Sequence, residues 1–366
     1  MKTDVKEKIF VTKSFLPPID EYNSYVSKIY DNGQLTNQGP LLKNLENKLS
    51  NYLQVQNFHY VTNGTIALQI ALKSLEIEEG EIITTPFSFV ATTSSILWER
   101  CKPVFVDIEA DNFMIDVDKI EAAITPNTKA IMVVHVFGYA CDVEKIQVIA
   151  NKYNLKVIYD AAHAFGSIYK GKSLLGYGDI STCSFHATKV YHTIEGGCCV
   201  VKNKAVSDKL ELIKKFGLIG DNQYCLGVNA KQSEFNAAMG LANFPYISEI
   251  IEKRRIISEL YDKELKGFVK RPKKQEGLEY NYAYYPVVFK TEEELLRVFE
   301  ALNGKDIYPR RYFYPSLNKL PYLKEYKACP ISEDICSRIA CLPLYPELSK
   351  ENVLRICEII KGSINE

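Results

Sequence analysis

The chain has 366 residues, 46% apolar and 25% charged, which suits one large and one smaller domain with a sizeable core. Lysine plus arginine (45) equals aspartate plus glutamate (45), so the net charge argues against nucleic acid as a partner. The start, MKTDVKEKIFVTKSF, lacks the apolar core of a signal peptide, and no run approaches the roughly 18 apolar residues of a membrane span. The ten cysteines form no CxxC pair of the zinc type, so the expectation is a reduced, cytoplasmic protein with no metal site.

VTNGTIALQIALKSL opens with turn chemistry and continues with Ile66, Ile70 and Leu75 at helical spacing. EIITTP, KPVFVDI and KAIMVVHVFGY follow as β-branched, strand-like runs, each closed by turn signals. Residues 142–154 place Ile146, Ile149 and Ala150 on one helical face, and KVIYDAAHAFG is a further buried strand. CCVV, with Cys198 and Cys199, reads as a strand carrying small buried thiols. This alternation predicts an α/β domain whose mainly parallel sheet is covered on both faces. After about residue 245, ISEIIEKRRIISELYDKEL predicts a long amphipathic helix with its basic residues outward. NYAYYPVVF, a helix at 291–303 and a terminal helix after Pro346 complete a smaller α+β domain. The expected division is 1–245 and 246–366. The proline-dense stretch 309–322 is either an ordered loop near a site or a surface connection.

Four segments carry candidate chemistry. Asp160 ends an apolar strand, where open α/β sheets place their ligand-binding groups; alone, such an aspartate is more often a helix cap. Lys189 lies in a loop after a short strand and is followed by Glu195-Gly196-Gly197 and another buried strand. A lysine among apolar neighbours is costly unless its charge is neutralised, and an imine with a cofactor aldehyde does that. Thr62-Asn63-Gly64-Thr65 opens a helix, where free N–H groups and a threonine hydroxyl form a phosphate cradle or an ordinary capped start. In TTPFSFVATTSS, Phe87 or Phe89 is placed to stack on a flat ring, or is simply core.

Taken together, these segments resemble the DegT–DnrJ–StrS family of nucleotide-sugar aminotransferases. The resemblance runs over nearly the whole chain, from GQLTNQGPLLKNLE through VTNGTIALQIAL, PVFVDIEADNFMID, VVHVFGYACDVEKI, YDAAHAFGS and SFHATKVYHTIEGG to GVNAKQSEFNAAMGL, RRYFYPSL and CLPLYPELS. It implies the pyridoxal 5'-phosphate (PLP) fold type I architecture, similar to aspartate aminotransferase. It further implies Lys189 as the Schiff-base lysine and Asp160 as partner of the pyridine nitrogen. His163 is placed beside the cofactor ring, Gly64, Thr65 and Ser184 on its phosphate, and Phe89 stacked on it. By the same resemblance Asn229 reaches the neighbouring subunit's cofactor phosphate, which implies a homodimer with shared active sites. The chain departs from the family where Asn229-Ala230-Lys231-Gln232 replaces the commoner Asn-x-Arg-Met, and at Phe235-Asn236. Lys231 in that loop is a substrate-binding candidate that would meet a carboxylate without bidentate geometry.

The implied reaction is transamination, with L-glutamate as donor and Lys189 moving the proton as general base and acid. SFHATKVYHTIEGG and RRYFYPSL look most like family members that aminate carbon 4 of a dTDP-linked 4-keto-6-deoxyhexose. The expected product is dTDP-4-amino-4,6-dideoxyglucose for surface polysaccharide (O-antigen). Amination at carbon 3, a UDP-sugar and the galacto epimer stay open. Arg310, Arg311 and Tyr314 are candidates for gripping the diphosphate or base, or are interface and surface residues. A PLP-dependent sugar dehydratase carries histidine in place of the lysine, so Lys189 argues against it. A non-catalytic regulatory relative is the alternative from another class.

Overall fold

A computed structural model of the protein describes residues 8–365. The first seven residues, part of the start read above for a signal peptide, lie outside them, as does residue 366. After helices α1 (Ile19–Asn32) and α2 (Pro40–Leu53), seven strands form one sheet: β1 (Phe58–Val61), β2 (Glu81–Thr84), β3 (Lys102–Phe105), β4 (Thr128–Val134), β5 (Lys156–Asp160), β6 (Ile180–Ser184) and β7 (Gly197–Val201). The order across it is β1-β7-β6-β5-β4-β2-β3. β7 runs antiparallel to both neighbours, and the other pairings are parallel.

The two-residue period of the strands explains why the sheet is covered on both sides. Ile83, Ile131, Val133, Val157 and Tyr159 enter one core cluster, while Ile82, Ala130, Met132, Ile158 and Ile180 enter another. Helices α3 (Gly64–Ser74), α4 (Val90–Trp98), α5 (Val143–Tyr153) and α6 (Lys204–Ile213) connect or flank the strands. Next comes α7 (Glu234–Asn243), whose fully buried Glu234 accepts hydrogen bonds from the amides of Leu41 and Leu42, both at 2.8 Å. That carboxylate satisfies free N–H groups at the start of α2 and ties α7 to it.

Helix α8 (Ile247–Glu264) leads to an antiparallel pair, β8 (Tyr285–Val288) and β9 (Ile339–Leu342), with α9 (Glu292–Asn303), α10 (Pro330–Arg338) and α11 (Lys350–Asn365) around it. The expectation that the basic residues of α8 all face outward is corrected at Arg254. It is only 2% exposed and donates to the carbonyls of Tyr282 and Ala283. The N-terminal segment crosses to this part of the molecule. Ile9 pairs in parallel with Ile307 and joins a core cluster otherwise made of residues 257–360. Among the described residues no helix is long and apolar enough to cross a membrane.

Candidate active site

The C-terminal ends of β1, β5 and β6 converge on a cavity of about 900 Å³, the position at which open α/β sheets bind ligands. Lys189, Asp160, His163, Gly64, Thr65, Ser184, Phe89 and Arg310 all line it.

Asp160 is the last residue of β5, and burial pushes its carboxyl above the usual aspartate value. Thr92 Oγ1 of α4 donates to its Oδ2 at 2.7 Å and the Ala162 amide to its Oδ1 at 3.1 Å, both opposing that rise, as does the nearby Lys189. The partners are a hydroxyl and an amide, and no described cation forms an ion pair with this carboxylate. His163 is buried, and burial holds its imidazole well below the usual histidine value. The Phe137 amide donates to its Nδ1 at 3.1 Å, which assigns the proton of the neutral ring to Nε2. That amide is aimed by backbone strain, because Phe137 sits at φ 56. The next residue, Gly138, has φ 92, and a Cβ there would lie 2.5 Å from Asn281 Oδ1.

Lys189 is half-buried in the loop between β6 and β7. Burial lowers its amine below the ordinary lysine value, against the opposing pull of Asp160. Its Nζ donates to Tyr284 Oη at 3.4 Å. Asn63 caps α3 by accepting the Ile66 amide at 2.9 Å, so the amides of Gly64 and Thr65 stay free at a positive helix end. Ser184 closes over that end: a Cβ at position 64 would lie 3.1 Å from Ser184 Cβ. At the mouth, His186 Nε2 stands 3.6 Å from Glu195 Oε1.

Asn229, Lys231, Arg311 and Tyr314 do not line this cavity. Asn229 is exposed and accepts from Lys231 Nζ at 2.8 Å. Arg311 pairs with Glu292 at 2.6 Å, and its guanidinium lies over the Tyr314 ring at 3.6 Å. Both line a neighbouring cavity of about 400 Å³ that shares Phe89, Arg310, Tyr312 and Phe313 with the first.

The sequence marks Glu195 only as the neighbour of a glycine pair, and Gln232 and Asn236 only as departures from the family pattern, and it assigns no role to Thr92 or Tyr284. Gln232 and Asn236 donate to the Glu195 carbonyl at 2.7 and 2.9 Å, clamping the loop before β7 to α7. Thr92 was within reach, since TTPFSFVATTSS had already been singled out; Tyr284 carried no local signal.

Residues 19–361 match the DegT/DnrJ/EryC1/StrS aminotransferase family. A dTDP-4-amino-4,6-dideoxy-D-glucose transaminase of Shigella dysenteriae is 41% identical, over 99% of this chain and all of that one. The structure of DesI with its TDP-sugar product superposes with a TM-score of 0.93 at 27% identity, covering 99% of this chain and 94% of that one. The PLP form of the Streptococcus pneumoniae protein Spr1654 matches with a TM-score of 0.89 at 26% identity, covering 97% and 99%. The chain belongs to the DegT/DnrJ/EryC1/StrS aminotransferase family.

Proposed function

We propose that this chain binds PLP and, in the cytoplasm, transfers an amino group from L-glutamate to carbon 4 of a dTDP-linked 4-keto-6-deoxyhexose, giving dTDP-4-amino-4,6-dideoxyglucose for surface polysaccharide. The observation that carries the chemistry is the convergence of Lys189, Asp160 and His163 on one cavity whose wall includes the free N-terminus of α3. The Shigella relative's name supports the sugar and nucleotide. The ten free thiols suit a reducing compartment.

The residues present fit the cofactor. Asp160 is a buried carboxylate with no ion-pair partner among the described residues, and the protonated nitrogen of a pyridine ring would be one. The amides of Gly64 and Thr65, with the Ser184 hydroxyl, suit a phosphate dianion, and Phe89 is the aromatic placed to cover a ring. Bound there, PLP would supply an aldehyde that condenses with amines and a ring that accepts electrons.

The protein's own groups do the rest. Lys189 carries an amine whose proton affinity is lowered by burial, the direction that favours accepting a proton and returning it as a general base and acid must. Asp160 holds a proton on whatever nitrogen it faces, and His163 offers Nε2–H as a neutral donor. Arg310, the permanent cation among the described residues lining the cavity, suits the carboxylate of the donor or the diphosphate of the acceptor.

Protein reconstituted with PLP is expected to be yellow, to bleach with L-glutamate and to recover its colour with the dTDP-linked keto sugar. Failure to take up PLP would sink the cofactor assignment. Recovery only with a GDP- or UDP-linked sugar would move the substrate.

The active site is proposed to be shared by two subunits. Asn229 does not line the cavity of its own chain, and Ile219, Tyr224 and Leu226 in the same segment expose large apolar surface. Light scattering should return twice the chain mass, and a monomer at micromolar concentration would contradict the shared site.

A further inference from the structure

We propose that Tyr284 is the positioning residue that holds the Lys189 amine during proton transfer. This rests on the reading of Lys189 as the working amine.

Tyr284 comes from the segment just before β8, about a hundred positions or more from Lys189, Asp160 and His163. Its hydroxyl accepts a hydrogen bond from Lys189 Nζ at 3.4 Å. Its ring stands edge-on to His163, with centroids 4.8 Å apart, and to Tyr312 at 5.6 Å.

Two buried polar side chains, Asn281 and Arg254, and the half-buried Tyr280 fix the segment that delivers it. Asn281 donates to the carbonyls of His163 and Phe165 at 2.7 and 2.8 Å, and its own oxygen accepts the Ala283 amide at 3.0 Å. Arg254 Nη1 donates to the carbonyls of Tyr282 and Ala283 at 3.3 and 3.1 Å. Tyr280 Oη reaches the carbonyls of Phe137 and Tyr284 at 3.0 and 3.1 Å. Arg254 therefore acts as a clamp on backbone, in place of the ion pair a buried guanidinium usually makes. The same clamps hold His163 and Phe137, so the amine, the imidazole and the phenol are located by one network.

A phenol suits this position chemically. It accepts a hydrogen bond from a protonated amine and donates one to the lone pair of a neutral amine. Burial raises the Tyr284 phenol above its ordinary value, so it stays uncharged while Lys189 cycles. A carboxylate in its place would trap the ammonium form. Asp160, Cys183 and Tyr312 bear on the amine electrostatically and His163 beside it is neutral, while His186, Glu195 and Arg310 are the other titratable or charged groups lining the cavity.

The test is Tyr284→Phe, which keeps the ring contacts and removes one oxygen. Expected is a fall in kcat of about tenfold, with KM for both substrates within about twofold. The second readout is the rate at which apoprotein develops its yellow band on adding PLP, followed against pH with Lys189→Ala as blank. Losing an acceptor for the ammonium should move that midpoint down by roughly half to one unit. An unmoved midpoint with kcat within twofold overturns the proposal. So does a raised KM with an unmoved midpoint, which would place Tyr284 on the substrate. A wild-type protein with no lysine-dependent band would bring down the functional reading itself, an outcome distinct from either.

Discussion

Lys189→Ala is expected to lose turnover by at least about 10⁴-fold and to show no yellow band with PLP, while remaining folded. The size follows from the two tasks proposed for one amine, covalent attachment and proton transfer, of which proton transfer alone accounts for about 10²- to 10⁴-fold. Retention of the fold follows from the burial of this side chain. An amine whose proton affinity is lowered by burial works against folding while it is charged. The unfolded chain holds more protons than the native one between the lowered value and the ordinary lysine value. The wild-type apoprotein should therefore gain stability relative to Lys189→Ala as pH rises through that window, and the difference should level off below it. Denaturant unfolding at several pH values measures this. A Lys189→Ala protein that still colours with PLP and turns over within tenfold of wild type would remove Lys189 from the chemistry.

That Asp160 and Lys189 would meet at one end of the sheet was legible because each stands where a buried run stops: Asp160 closes a continuously buried strand, and Lys189 falls in a loop between two such strands. The parallel sheet was legible for the same reason, since strands covered on both faces read as continuous apolar runs. Thr92 was less so, because its helical surroundings, VATTSSILW, look like any polar patch until the helix is laid across the end of β5. Tyr284 and Arg254 were not legible at all. One sits in a tyrosine-rich run and the other on a helix with abundant basic residues, and only tertiary packing separates them from their neighbours. The pairing of Ile9 with Ile307 is of that kind too: two-residue strands nearly 300 positions apart carry no local signature.

Asp160→Asn should fold, bind PLP and turn over slowly, by about 10²- to 10⁴-fold less, the cost of removing one partner from a buried charge-assisted hydrogen bond. The substitution is nearly isosteric and the local hydrogen bonds can be kept. An asparagine oxygen toward Ala162 accepts that amide, and its NH₂ toward Thr92 donates to a hydroxyl that turns to donate to Ser88, now 2.8 Å away. What cannot be kept is the negative charge that holds a proton on the facing nitrogen. Burial raises the Asp160 carboxyl, so above its ordinary value the native apoprotein holds more protons than the unfolded chain. Relative to Asp160→Asn, wild-type stability should therefore fall as pH rises through that window and stay lower above it. The two readouts separate the charge from the shape. A variant with unchanged turnover would show that the carboxylate has no electrostatic role in the reaction. A variant that loses PLP altogether would make Asp160 a binding residue first, with its effect on rate following from an empty site.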